Sequence, residues 1–175
     1  MNTTLRWAVA VLLGAMAIAV LTPPVVEAQI SLDLVACKKI EPGTQGGFFF
    51  LRYNQCGTQF TAKDPYIGLV AHFRNVTDYT RVTVELLDPA QAAVWKRDTT
   101  YETTSGSYYP NIWVWVILPV AADVQAIAAE NVRLTTSIIK LTERPAAERL
   151  GEWTVRTQAD RLGSRTLKVT LLPGP

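Results

Sequence analysis

The stretch Arg81-Val82-Thr83-Val84-Glu85-Leu86 decides the fold class. Side chains alternate from face to face along an extended chain, so Val82, Val84 and Leu86 share one side while Arg81, Thr83 and Glu85 share the other. A strand with one dry and one wet face belongs to a sheet that buries a single side. Asp88-Pro89 closes the run with turn chemistry. Upstream, Ile67, Leu69, Ala71 and Phe73 form a second apolar row, broken at Asn75 to Asp78. Downstream, Trp153, Val155 and Thr157 repeat the pattern after Gly151, with Thr154 and Arg156 on the opposite face. The polar stretch Asp160 to Ser164, containing Gly163, predicts a hairpin connection into Leu167, Val169 and Leu171. Pro173-Gly174-Pro175 stops this last strand and blunts the sheet.

Further strands are expected at Phe48-Phe49-Phe50-Leu51, at Asn111 to Leu118 and at Val132 to Lys140. Only Ala121 to Glu130, rich in alanine, predicts a helix, and a short one. The strand total comes to about eight to ten, with turn signals at the spacing of an all-β sandwich rather than of βαβ units.

The first residues have the build of an export signal. Met1 to Arg6 carries one positive side chain, and an uncharged apolar run from Trp7 to Leu21 follows. Pro23 and Pro24 then end any helix, because proline lacks the amide donor and clashes with the preceding turn. Val26-Glu27-Ala28 supplies modest side chains for a signal peptidase, which predicts cleavage between Ala28 and Gln29. The run is too short for a spanning helix, which needs about 20 apolar residues. Leu34-Val35-Ala36-Cys37 resembles the lipobox of bacterial lipoproteins, but Glu27 and Asp33 separate it from the apolar run that such a motif should directly follow. A periplasmic or secreted protein is therefore expected, with membrane attachment only if the leader is retained or Cys37 is lipidated.

Removing residues 1–28 leaves 147 of the 175 residues, enough for one domain with a sizeable core. The organisation read from the sequence is a signal peptide over 1–28, a disulfide-closed segment over 29–57 and a β-sandwich domain over 58–175. Net charge is +2, with both signs interspersed and no run longer than Lys38-Lys39. Nucleic-acid binding, which needs a clustered basic face, is excluded on that ground. Cys37 and Cys56 are the only cysteines, and an even pair in an oxidising compartment predicts a disulfide. Their separation, with His72 as the sole histidine elsewhere, does not fit a metal or redox site. No metal or other cofactor is expected.

The segment from Gln59 to Leu172 resembles the immunoglobulin-like or fibronectin-like domains of exported bacterial proteins. The resemblance rests on Phe60-Thr61-Ala62-Lys63-Asp64 before a strand, on Val82 to Pro89, and on the closing Gly151-Glu152-Trp153-Thr154-Val155. It implies an immunoglobulin-like sandwich with one short helix behind a signal-peptide helix. The Cys–Trp–Cys spacing of antibody domains is absent, since both cysteines precede the main strands, and fold-level likeness does not transfer function.

Chemistry is sparse along the chain. His72 falls on the polar-facing register of its strand, which predicts an exposed histidine without catalytic partners. Asp64, Asp78, Asp88 and Asp160 are scattered turn formers rather than a calcium ladder. Asn75-Val76-Thr77 matches the glycosylation acceptor pattern but occurs readily by chance. There is neither a phosphate-binding glycine loop nor a nucleophile elbow.

The aromatic residues are the strongest lead. Tyr108 and Tyr109 precede Pro110, and Trp113, Trp115 and Ile117 share one strand face, while Ile112, Val114, Val116 and Leu118 share the other. A strand apolar on both faces is either covered twice or presents a stripe for a partner. Cover would come from the N-terminal disulfide segment or from the Ala121–Glu130 helix. These residues predict a non-enzymatic exported protein that binds another exported protein or surface component through Tyr108, Tyr109, Trp113 and Trp115. The alternative is a carbohydrate-binding module using the same aromatic face.

Overall fold

Rows of period-two apolar residues, separated by Asp, Pro and Gly turns, fold into strands that bury one face each. A computed structural model describes residues 31–77, 79–101, 108–121, 123–130, 137–141, 145–160 and 163–174. The leader, with Ala28 and Gln29, lies outside the described residues, as does Asp78. The elements are β1 (Ser31–Gln45), β2 (Phe48–Cys56), β3 (Gln59–Thr61), β4 (Tyr66–Thr77), β5 (Thr80–Leu87), β6 (Ala93–Tyr101), β7 (Tyr108–Pro119), α1 (Val124–Glu130), β8 (Gly151–Ala159) and β9 (Gly163–Leu172). They form two sheets, so the chain is all-β with one short helix among the described residues. The first has the order β2-β1-β4-β7 and the second β3-β9-β8-β5-β6. All neighbours are antiparallel except β3 and β9, which run parallel.

One core joins the inner faces of both sheets. Ile67, Leu69, Ala71 and Phe73 of β4 and Ile112, Val114, Val116 and Leu118 of β7 cluster with Val82, Val84 and Leu86 of β5, Trp153 and Val155 of β8, and Val169 and Leu171 of β9. Each row has the alternation predicted for it. Trp153 is the largest fully buried side chain, and its indole N–H donates to the carbonyl of Arg149 at 3.0 Å, which satisfies the polar edge of a buried ring.

The turn aspartates act locally. The Asp64 carboxylate accepts from the Thr61 amide at 2.7 Å and pairs with Lys38 at 2.8 Å. Asp88 accepts from the Ala92 amide at 3.0 Å and pairs with Arg149 at 3.2 Å. Asp160 joins the β8 end to β5 through the Arg81 amide. Asp123 caps α1, accepting from the Ala126 amide at 2.6 Å, as an aspartate just before a helix does.

The strand predicted over Val132 to Lys140 is not seen where the chain is described. Residues 131–136 lie outside the described residues, and Ser137 to Leu141 makes a single crossing at the β7 edge. Ile138 forms an isolated parallel bridge with Ile117, and the Ile139 amide donates to the Ile117 carbonyl at 2.8 Å. Ile139 enters the shared core while Ile138 packs on the outer face, so the segment works as an edge clasp.

β1 is the longest strand and has two partners in turn. Ser31 to Cys37 pairs with β4, and Cys37 to Gln45 pairs with β2. Gly46 and Gly47 link β1 to β2 with φ of 58° and 81°, the positive values that a two-residue type I′ hairpin loop requires at both positions. Cys37 and Cys56 are register partners and are joined by the expected disulfide.

Closing a loop of this length stabilises by about 3 kcal/mol in the chain-entropy model. Double replacement of Cys37 and Cys56 by serine is therefore expected to lower the unfolding free energy in urea by about that amount. Burial raises the pKa of Asp64, but the Lys38 ion pair and the Thr61 bonds outweigh burial and hold it below the ordinary carboxylate value. Its contribution to stability is thus complete above the unfolded pKa and is lost as pH falls through the lower folded value. Asp64→Asn is expected to reduce stability at pH 7 and to flatten its dependence on pH below about 4, followed by acid titration of the unfolding midpoint.

Candidate aromatic contact site

Beyond Cys37, β1 leaves β4, and the hairpin made with β2 continues as an arm. The arm turns over the outer face of the first sheet. Ile40 packs against Gly68, where a side chain would collide with the isoleucine, and its amide donates to the Tyr66 hydroxyl at 3.3 Å. Ile40 and Leu51 form a second apolar cluster with Tyr66, Val70, Ile117 and Ile127, and Trp113, Trp115, Tyr53 and Ile138 pack against it. The outer face of β4 and β7 is therefore covered both by the disulfide-bonded hairpin and by α1.

Phe49 fixes the arm at its tip. Its ring stacks on Trp115 with centroids 5.2 Å apart and an interplanar angle of 11°. It meets Trp113 edge-on at 5.8 Å and 64°. Trp113 also stacks on His72 at 5.0 Å. Trp113 and Trp115 thus lie half-buried as a platform beneath the arm rather than as an open stripe. Tyr108 and Tyr109 sit at the start of β7, opposite Thr77 and Val76, four and more residues along the strand from the platform. Their backbone is placed, while their side chains lie outside the described set.

His72 departs from expectation. It is 7% exposed rather than solvent-facing, and its Nε2 is 2.8 Å from Asn111 Oδ1. The sequence places it correctly on the face opposite Ile67 and Phe73. That face is dry, however, because an element distant in sequence covers it. Three buried nitrogens in this patch, His72 Nδ1, Trp113 Nε1 and Trp115 Nε1, have no hydrogen-bond partner among the described residues.

The most exposed aromatic ring among the described residues belongs to a stretch that the sequence marks only as a strand. Phe48 is 80% exposed and Phe49 39%. The Phe50 ring lies over Gly43 of the paired strand, and the Arg52 guanidinium stands 5.0 Å from its centroid, in cation–π range. Gln45, Phe48, Phe49, Phe50, Leu51 and Arg52 line a shallow depression of about 390 Å³ at the tip. The signal was present in the sequence: Gly46-Gly47 between two extended runs predicts a tight hairpin, and three successive phenylalanines must put at least one ring outside.

Among the described residues no group of three His, Cys, Asp or Glu side chains is placed to hold a metal ion. No protein-family model and no curated protein matches this chain.

The stacking geometry carries its own test. Phe49→Ala removes one aromatic pair and part of the cover over Trp115. It is expected to cost about 1–2 kcal/mol in urea unfolding and to move tryptophan emission to longer wavelength while the fold persists. Unchanged emission and stability would show that Phe49 does not cover the indoles.

Proposed function

We propose that this chain is an exported, non-enzymatic β-sandwich of the immunoglobulin-like kind that acts through protein–protein contact, as an accessory, structural or surface-associated module. The observation that carries the proposal is the arm tip. Phe48 spends its ring in water at the end of a hairpin held by a disulfide and seated by Phe49 on two tryptophans. Exposed aromatic rings on a rigid mount are what interface anchors require, because little conformational entropy remains to be lost on binding. The leader and the disulfide support an oxidising, extracytoplasmic setting. The sequence resemblance and the two sheets around one core support the immunoglobulin-like assignment. The contact residues move accordingly from Trp113 and Trp115, which serve as the mount, to Phe48, Phe49 and Phe50.

One observation favours a second reading, a carbohydrate-binding module. The partnerless indole N–H groups of Trp113 and Trp115 and the Nδ1 of His72 are polar atoms beside stacked rings, a combination that suits sugar hydroxyls over an apolar ring face. Phe49 occupies the Trp115 ring, so a saccharide would first have to displace the arm.

The two are separated by photo-crosslinking. With benzoylphenylalanine at position 48 of the exported protein, the proposal expects discrete polypeptide adducts that are absent when the probe is at Lys96 on β6. No adduct at position 48, together with tryptophan emission that shifts on adding soluble oligosaccharides, would overturn it in favour of the sugar reading.

A further inference from the structure

We infer that the contact made by this arm is with a second copy of the same chain, through antiparallel pairing of β2 with β2 across a two-fold axis. The inference rests on the proposed contact function and names its partner. It begins with the four sheet edges. An edge strand offers a row of backbone amides and carbonyls to any extended chain, and proteins ordinarily guard such rows with charge, proline, brevity or cover. β6 carries Lys96, Arg97 and Asp98, all exposed. β3 is three residues long, and the stretch of β9 that it leaves without a partner on that side carries the exposed Arg165 and Lys168. β7 has Pro110 and Pro119 near its ends and is clasped by Ile138. Among the described residues β2 pairs with β1 alone, and from Phe48 to Asn54 it has no proline or covering strand, with Arg52 as the single charge. Gln55, next to the last residue of β2, has a φ of 55°, which interrupts the regular extended run there.

The side chains of this edge are complementary to themselves. A two-fold centred on Phe50 sets Phe50 against the same residue of the other copy. On the outward face, Phe48 of each copy then lies opposite Arg52 of the other. That repeats between subunits the guanidinium–ring contact already made within one, where Arg52 stands over Phe50. On the inward face Phe49 lies opposite Leu51. No like charges meet, and the ring that is 80% exposed in the single chain gains cover. A centre at Arg52 would instead oppose two cations, so charge selects the register as well as the partner. The result is an isologous interface that joins two hairpin arms into one four-stranded ribbon, a geometry that closes at the dimer.

The full exported chain tests this directly. Sedimentation velocity from low to high micromolar concentration is expected to show a rise from monomer to twice that mass. Phe50→Asp, which opposes two carboxylates at the axis, should abolish the rise. Phe50→Cys should form a covalent dimer on mild oxidation, with the new bridge mapped to position 50 in both copies and the Cys37–Cys56 bond retained, whereas Thr100→Cys on β6 should not. A protein that stays monomeric throughout, with Phe50→Cys linking no more than Thr100→Cys, overturns the inference even if Phe50→Asp fails to fold. In that case photo-adducts from position 48 to a different polypeptide would leave the contact function standing, while the absence of any adduct would remove both.

Discussion

Cys37 is the point on which the structure turns. In one register it faces Gly68 of β4, in the other Cys56 of β2. The residue thus ends one strand pairing and anchors the next, and its sulfur makes the second permanent. Everything beyond it in the hairpin is free of β4, and so can turn over the sheet instead of extending it. Gly68 makes the turn sterically allowed, because any larger residue there would occupy the space that Ile40 takes. The covered tryptophans and the exposed phenylalanines both follow from this branch.

That arrangement gives β7 two unlike faces. Ile112, Val114, Val116 and Leu118 belong to the core shared by the sheets, while Trp113, Trp115 and Ile117 belong to a smaller cluster closed by the arm and α1. The second cluster holds fewer buried side chains, and three buried nitrogens beside it lack a partner among the described residues, which makes it the weaker of the two. Local opening is drawn from such regions rather than from the main core. The arm thus carries exposed aromatic rings while its disulfide, the Ile40 and Leu51 contacts and the Phe49 stack hold it on the sheet.

The core faces of the sheets are legible in the sequence wherever apolar residues recur with period two. Val82 to Leu86, Ile67 to Phe73 and Trp153 to Thr157 announce their core faces by alternation alone, and the structure keeps each. The split of β7 into a tryptophan face and an aliphatic face was equally readable. The two elements that cover the tryptophans, the disulfide segment and the Ala121–Glu130 helix, could be named from the sequence, but the choice between a covered and an open face could not, because it depends on where the hairpin lies in space, a long-range property without a local signature. His72 shows the cost: its side was right and its solvent exposure wrong. The exposed tip was missed for another reason, since Phe48 to Leu51 has no alternation to say which ring faces water. Around Ile138 the described chain makes one isolated bridge with Ile117 instead of a continuous ladder, and residues 131–136 lie outside the described residues.

The central claim is that the disulfide-anchored hairpin lies across the outer face of the first sheet with Phe49 on Trp115. Proton nuclear Overhauser contacts between the Phe49 ring and the Trp115 indole measure it most directly. Strong cross-peaks between these rings in the oxidised protein, together with contacts from Ile40 to Gly68, are the predicted result. Their absence, with the Trp115 indole N–H exchanging at the rate of a solvent-exposed group, would contradict the account.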